Sequence, residues 1–276
     1  MVRLGQNFLA DPNLLEAIVA DAALGPDDVV LEVGGGEGVL TERLAVGAAK
    51  VHLIEIDEGL RLPLERVAAE HPNVSILWKD AMRTDLAALE PAPTAMVANL
   101  PYSVATPLIL RTIAELPSIG RWTVMVQREI AERLRARPGS RSYGSPSVMV
   151  QLSCDVRMLR AVDPAVFTPR PRVDSAVLAL TRRGTRRISA TSAQLIRDSF
   201  AHRRKALPKS MELAVRRREA EAEKQGLPAP RPRSAEVRHL CREALGALGL
   251  PEGIRAEMLT PEQHLTLAET ISAEPS

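Results

Sequence analysis

The sequence predicts an α/β protein: a Rossmann-like, doubly wound, mostly parallel sheet with an antiparallel hairpin at its edge, followed by a small all-helical domain. Three observations lead there. The apolar run Val29-Val30-Leu31-Glu32-Val33 passes directly into Gly34, Gly36 and Gly38 and then a helical stretch from Val39 to about Ala45. Strand, glycine loop and helix in that order open a nucleotide-binding α/β unit. Short apolar runs and amphipathic stretches alternate as far as Thr181, and after Gly184 that alternation gives way to helical, basic sequence. The expected domains are therefore residues 1–184 and 185–276.

Each element has its own local signal. Gln6-Asn7-Phe8-Leu9 precedes a helix announced by Asp11-Pro12, an N-cap and a helix-compatible proline, with Leu14, Leu15, Ile18 and Val19 as its apolar stripe. A Phe-Leu pair just ahead of a capped helix is expected to anchor the tail to the body. Val51 to Asp57, Val74 to Trp78, Ala95 to Ala98 and Trp122 to Val126 read as further buried strands. Residues 60–70, Thr106–Leu116 and Gln127–Arg137 read as helices between and after them. Ser147 to Cys154 reads as helical, whereas Arg157–Val162 and Asp174–Thr181 read as the two strands of the edge hairpin. Ile196–Val215 reads as a basic helix broken near its middle by Pro208. Gly226–Ser234 is a Pro-rich loop, and residues 235–248 and 261–272 are amphipathic helices.

Composition narrows the function. Of 276 residues 45% are apolar, enough for a sizeable core, but only 3% are aromatic, so an aromatic outside the core becomes a site candidate. No apolar run approaches the ~20 residues that cross a bilayer, and no signal peptide opens the chain. Cys154 and Cys241, both read as lying in helices, match neither a disulfide framework nor metal-ligand spacing. A reducing cytoplasm, no membrane and no metal are expected. Charge is sorted along the chain: Asp and Glu outnumber Lys and Arg 16 to 7 over residues 1–100, while Lys and Arg outnumber them 12 to 2 over residues 182–218. A basic belt in an otherwise acidic chain suits a polyanion such as nucleic acid, against the plainer reading of a solvated basic helix face.

The strand ends carry the chemistry. No register of Gly34 to Thr41 yields G-x-G-x-x-G, and G-K-[ST] is absent, so neither a dinucleotide nor a Walker pyrophosphate grip is present. The form E-x-G-x-G-x-G, with Glu32 on the strand, is typical of S-adenosylmethionine sites. Glu55 lies 21 residues beyond Gly34, where a carboxylate accepts from ribose hydroxyls, with Asp57 as its competitor. Asp80, followed by Ala81 and Met82, can accept from an adenine amine or simply cap the next turn. Asn99-Leu100-Pro101-Tyr102 ends a strand in a stiff corner. It offers an amide, backbone carbonyls and a ring, suited to a flat amine. Phe167-Thr168-Pro169-Arg170-Pro171-Arg172 reads as an extended loop with one exposed aromatic.

Taken together, Gln6 to Leu9, Glu32 to Gly38, Glu55-Ile56-Asp57, Asp80-Ala81-Met82, Asn99 to Tyr102, Phe167 to Pro171 with Val173-Asp174-Ser175, and Phe200 with Arg203-Arg204-Lys205 resemble the ribosomal RNA adenine dimethyltransferases, in their small-subunit (kasugamycin-sensitivity) branch. The motifs occur in family order over residues 5–205, and Arg255-Ala256-Glu257 extends the similarity. Two departures stand out: Gly35 where the family usually has proline, and residues 217–234, which look like an insertion. The resemblance implies transfer of methyl groups from S-adenosylmethionine to N6 of two adjacent adenosines near the 3′ end of small-subunit rRNA, within the precursor particle, by a monomer. It places Asn7, Leu9, Gly34, Gly36, Gly38, Glu55, Ile56, Asp80, Ala81, Met82 and Asn99 at the cofactor. Asn99, Leu100, Pro101, Tyr102 and Phe167 fall at the target base, and Arg128, Arg170, Arg172, Arg203, Arg204 and Lys205 at RNA. A large-subunit adenine methylase, a non-catalytic RNA-binding factor and a small-molecule methyltransferase are the competing readings.

Overall fold

The computed structural model describes residues 7–184 and 187–273, so Gln6 lies outside the described residues. Two compact units divide the chain. One comprises the described residues up to 132 and from 153 to 184; the other comprises 133–152 and those from 187 onward.

The first unit contains β1 (Phe8–Leu9), α1 (Pro12–Ala22), β2 (Val29–Val33), α2 (Val39–Gly47), β3 (Lys50–Glu55), α3 (Arg61–Glu70), β4 (Val74–Trp78) and β5 (Ala95–Asn99). There follow α4 (Ala105–Glu115), β6 (Arg121–Gln127), most of α5 (Arg128–Leu134), β7 (Cys154–Val162), β8 (Phe167–Thr168) and β9 (Ser175–Arg182). Seven strands form one sheet in the order β4-β3-β2-β5-β6-β9-β7. Strands β2 to β6 pair in parallel, and β9 runs antiparallel to both β6 and β7. Strand β2 is buried at all five positions, as a central parallel strand must be. On one face the stripe Leu15, Ile18 and Ala22 of α1 packs with Leu40 and Leu44 of α2 over Val30 and Val51. Helix α1 starts where it does because Asp11 Oδ1 accepts from the Leu14 N–H at 2.9 Å with Pro12 in its first turn.

Strand order reverses between β2 and β5, which makes the gap beyond their carboxyl ends the topological switch point where such sheets bind ligands. The belt's first cation is structural. Arg182 donates to the carbonyls of Ile113, Leu116 and Ile119 and lies 5.0 Å from the ring of the buried Trp122. β1 and β8 form a separate antiparallel pair that aligns Phe8 with Thr168 and Leu9 with Phe167.

The second unit contains α6 (Ser145–Gln151), α7 (Ala190–Ser199), α8 (Leu207–Lys224), α9 (Ser234–Ala247) and α10 (Pro261–Ser272). Its core includes Tyr143, Val148, Leu195, Met211, Val237, Cys241, Leu245 and Ile271. The expected division at residue 184 put residues 133–152 in the first unit; Ala136, Tyr143 and Val148 are instead buried in this second core, and the Tyr143 hydroxyl donates to the Leu259 carbonyl at 3.0 Å. One local expectation is also corrected: Cys154 opens strand β7 and lies in no helix, because α6 ends at Gln151. The basic stretch is broken near its middle as expected, into α7 and α8, with Pro208 in the first turn of α8, where its missing N–H has no helical partner to lose.

His264 of α10 is 1% exposed, with Nε2 2.9 Å from the Ala256 carbonyl and its ring 4.9 Å from that of Phe200. Burial pushes its pKa down to about 4, the carbonyl opposing in part. The folded chain therefore keeps this ring neutral while an unfolded chain protonates it near 6.5, so stability falls as pH drops from 6.5 towards 4. The loss from this one group amounts to about 3 kcal/mol. The buried His52, also lowered, adds to the slope. Melting curves of wild type and His264→Phe between pH 4 and 7 check it: the variant should show the shallower decline, and equal slopes would exclude His264 as a cause.

Candidate active site

The carboxyl ends of β2, β3, β4 and β5 open on one cavity of about 490 Å³. At the end of β2 the chain turns through Gly34 (φ 80°) and Gly38 (φ 90°) into α2. A Cβ on Gly34 would stand 3.4 Å from Pro101 Cδ, so glycine is what lets the loop lie against the Asn-Leu-Pro-Tyr corner. A Cβ on Gly38 would stand 2.7 Å from Val67 Cγ2 of α3. Gly35 has a different reason for being small: a Cβ there would lie 2.8 Å from both methyls of Leu53, which fill the space next to it. The departure from proline is thus matched by a bulky neighbour on β3. Phe8 of β1 lies over Gly36, 3.2 Å from where its Cβ would be.

Most of the cofactor set reaches this cavity: Asn7, Leu9, Gly34, Gly36, Glu55, Ile56, Asp80, Ala81, Met82 and Asn99 all line it. Gly38 does not; it sits at the start of α2 packed on α3. Glu55 is 4% exposed, and its Oε1 accepts from the N–H groups of Ile56 and Asp57 at 2.8 and 2.9 Å. Its Oε2 faces the Gly36 N–H at 3.4 Å. One oxygen therefore holds the strand end in shape while the other looks towards the glycine loop. Asp57 is outside the cavity lining and caps the following turn through the Gly59 N–H at 2.9 Å. Asp80 Oδ1 accepts from the Met82 N–H at 2.8 Å, and Arg83 stands 3.6 Å from Oδ2. Ile56, 55% exposed, offers an uncovered apolar side chain at the cavity's edge.

At the corner, Asn99 ends β5 and its side-chain amide has no hydrogen bond among the described residues. The Leu100 N–H donates to Met125 on β6 at 3.0 Å. Of the two carbonyls in play, Pro101 O accepts from the Val104 N–H at 3.1 Å, whereas Leu100 O accepts from no backbone N–H among the described residues. The corner thus presents one amide and one open carbonyl, and Pro101 serves to stiffen it. Tyr102 lines the cavity, half-buried. Phe167 also lines it, but the expected exposed ring is 4% exposed, because pairing of β8 with β1 folds it into the core beside Leu9.

Several lining residues were not singled out from the sequence. Lys79 and Glu37 bring charge to the rim, and Ser103 follows the corner. Glu32, noted only as part of the glycine motif, is 1% exposed, and its Oε2 has no partner. Burial lifts its carboxyl to about 8, with the Thr41 hydroxyl opposing and the charge of Glu55 adding. Glu32 therefore holds its proton to much higher pH than an exposed glutamate.

The proposed RNA cations fall in both units. Arg128 pairs with Glu132 at 3.0 Å and with Asp174 at 3.7 Å, and Arg170 with Asp163 at 3.5 Å. Arg172 is exposed. Arg203 bonds the Arg141 carbonyl at 3.0 Å and stands 4.0 Å from Glu257. Arg204 and Lys205 are exposed and make no ion pair among the described residues. Further along the belt, Glu212 neutralises Lys209 and Arg216, and Asp198 takes Arg218. The belt is consequently less positive at the surface than its composition implies.

This sheet order, with a glycine loop lacking a pyrophosphate grip at the switch point, defines a Rossmann-like class I methyltransferase. Residues 2–231 match the family model described as ribosomal RNA adenine dimethylase, and the chain belongs to that family. It is 41% identical to the ribosomal RNA small subunit methyltransferase A of Rubrobacter xylanophilus, over 98% of this chain and 94% of the relative. It is 35% identical to the protein of that name from Alkaliphilus metalliredigens, over 98% and 91%. A crystal structure of a dimethyladenosine transferase from Plasmodium falciparum superposes with a TM-score of 0.76 at 26% identity, over 94% of this chain and 95% of that one. The 23S rRNA methyltransferase ErmE gives 0.64 at 28% identity, over 97% and 100%.

Proposed function

We propose that this enzyme transfers methyl groups from S-adenosylmethionine to N6 of two adjacent adenosines near the 3′ end of small-subunit rRNA, acting as a monomer on the assembling small-subunit particle in the cytoplasm. The observation that carries the reading is the junction at the switch point: the glycine loop and the Asn99–Tyr102 corner touch at Gly34 and Pro101 and share one cavity. A cofactor and an amine held there have to meet. The names of the relatives support small-subunit rRNA as substrate, and no helix among the described residues is long and apolar enough to cross a membrane.

The cavity suits the cofactor. Glu55 Oε2 and Asp80 are placed for ribose and adenine, Ile56 and Met82 for covering the ring, and Gly34 and Gly36 leave room beside the loop. Bound there, S-adenosylmethionine supplies an electrophilic methyl on a sulfonium. The chain's contribution is to the nucleophile. An adenine amine is a poor one because its lone pair is delocalised into the ring. Asn99 Oδ1 and the Leu100 carbonyl accept its two N–H bonds, favour a pyramidal nitrogen and stabilise the positive charge that develops on it. Tyr102 takes one face of a base drawn out of its stack, and Phe167, packed beside Leu9, backs the cavity wall behind it. Fixing the amine in line supplies much of the remaining acceleration, and the alkylated ammonium is acidic enough to need no strong base.

Arg128, Arg170, Arg172, Arg203, Arg204 and Lys205 are assigned to RNA phosphates, which makes particle binding weaken steeply with salt. The deciding experiment incubates undermethylated small-subunit particles with methyl-labelled S-adenosylmethionine and maps the modified bases. Two neighbouring dimethyladenosines in the small-subunit rRNA are expected. Label confined to large-subunit rRNA would instead favour an ErmE-like activity, and failure to bind the cofactor would reduce the chain to an RNA-binding factor.

A further inference from the structure

We propose that Ser175 is a positioning residue for base recognition: its buried hydroxyl holds the Tyr102 phenol and so fixes where the ring that receives the target adenine stands in the cavity. The inference rests on the functional reading above.

The Tyr102 hydroxyl lies 2.8 Å from Ser175 Oγ, a contact between residues 73 apart in sequence. The two ends of this hydrogen bond differ in rigidity. Ser175 is 0% exposed and is the first residue of β9. It is paired with Gln127 at the end of β6 on one side and Val162 at the end of β7 on the other, so three strands fix its backbone. Tyr102 sits in the turn between β5 and α4. The turn's backbone is tied down at Leu100 N–H and Pro101 O, but those bonds leave the two ring torsions of Tyr102 free. A half-buried ring at a cavity edge can swing about both. The bond to Ser175 holds the far end of the ring and so removes the swing about χ1, the torsion that carries the ring towards or away from the base.

Ser175 is not among the residues lining the cavity, so its influence on a base there runs through Tyr102. This also gives a purpose to Val173-Asp174-Ser175, a motif that neither the cofactor loop nor the acceptor corner explains. Preorganisation of this kind acts on the substrate that uses the ring and leaves the cofactor side untouched.

The chain has only two tyrosines, which makes the test direct. In protein labelled with ring-¹³C tyrosine, Ser175→Ala should move and sharpen the Tyr102 ring signals. The signals of Tyr143, buried with its hydroxyl on the Leu259 carbonyl, should stay in place as an internal reference. On undermethylated particles, kcat/KM should fall about 5- to 10-fold, the scale of one neutral hydrogen bond, with S-adenosylmethionine affinity unchanged. Tyr102→Phe, which removes the same bond from the loop side and keeps the ring, should match that loss, and the double variant should be no worse than either single one. If Ser175→Ala also moves the Tyr143 signals, the fold has been disturbed and Tyr102→Phe decides. Full activity in the deciding variant beside an active wild type overturns the positioning role. So does loss of activity with Tyr102 signals unmoved, or an additive double variant. A wild type that methylates no small-subunit rRNA overturns the functional reading, and the base-recognition role with it.

Discussion

Asn99→Ala lowers the rate of methyl transfer by about 10²- to 10³-fold, the usual cost of deleting one preorganised electrostatic partner of a transition state, while cofactor binding survives in part. The expectation comes from the position of the side chain. Asn99 ends β5, in register with Met125 of β6, so the strand pairing fixes its backbone. Its amide has no protein partner among the described residues and is half-exposed to the cavity. Nothing nearby can take its place: Pro101 O is engaged with the Val104 N–H, and Leu100 O can accept only one of the two amine hydrogens with good geometry. Asn99→Asp keeps the shape and adds a charge beside a nitrogen that must be presented neutral, so it tests geometry against electrostatics. Single-turnover transfer of a labelled methyl group to the particle is the measurement. Near-wild-type rates in Asn99→Ala would remove Asn99 from the chemistry.

Glu55→Gln should weaken S-adenosylmethionine binding about 100-fold, the scale of a lost charge-assisted hydrogen bond with its partner left unpaired, while the melting temperature changes little. The two oxygens of Glu55 have separate jobs. Oε1 collects the N–H groups of Ile56 and Asp57 and so shapes the end of β3. A glutamine must turn its single oxygen towards those donors, because the alternative sets an NH₂ group against two N–H groups in a buried position. Its NH₂ then faces Gly36 and the cavity, and can no longer accept from a ribose diol. Calorimetric titration with the cofactor, alongside a melting curve, separates the two jobs. Glu55→Ala should fail both tests, since it also strands the backbone donors. A glutamine variant that binds as wild type would place the ribose elsewhere.

Much of the first unit could be read from the sequence because its signals are local and repeated. Strands β2, β3 and β5 are short, apolar and almost wholly buried, and glycines stand where the backbone turns with positive φ. The carboxylate and amide of the site then follow from strand ends, which period-2 and turn signals place to within a residue or two. What escaped were facts about pairing. β1 and β8 are two residues each, too short to show any alternation, so the pairing that buries Phe167 left no trace in the pattern. Ser147 to Cys154 mixes Val148, Met149, Val150 and Leu152 with Ser147, Gln151 and Ser153, and so short a run does not say where helix ends and strand begins. The division of labour in Glu55, and the carboxylates that pair with Lys209, Arg216 and Arg218 in the basic belt, depend on side-chain contacts that the sequence pattern does not reveal. The inclusion of residues 133–152 in the second core is a fact of the same kind.

That inclusion makes the order of synthesis matter. As the chain leaves the ribosome, Tyr143 and Val148 appear before β7 and β9 have completed the sheet, yet most of their own core is still unmade. The sheet closes next, with β9 inserting between β6 and β7. Only when α7 to α10 have followed can the waiting apolar segment be covered. The two units are finished as interleaved halves, each begun before the other is complete. A fragment starting at residue 185 would thus lack part of its own interior, and a nascent chain stalled between β9 and α7 would hold a finished sheet with an uncovered hydrophobic segment, a natural point of engagement for a chaperone.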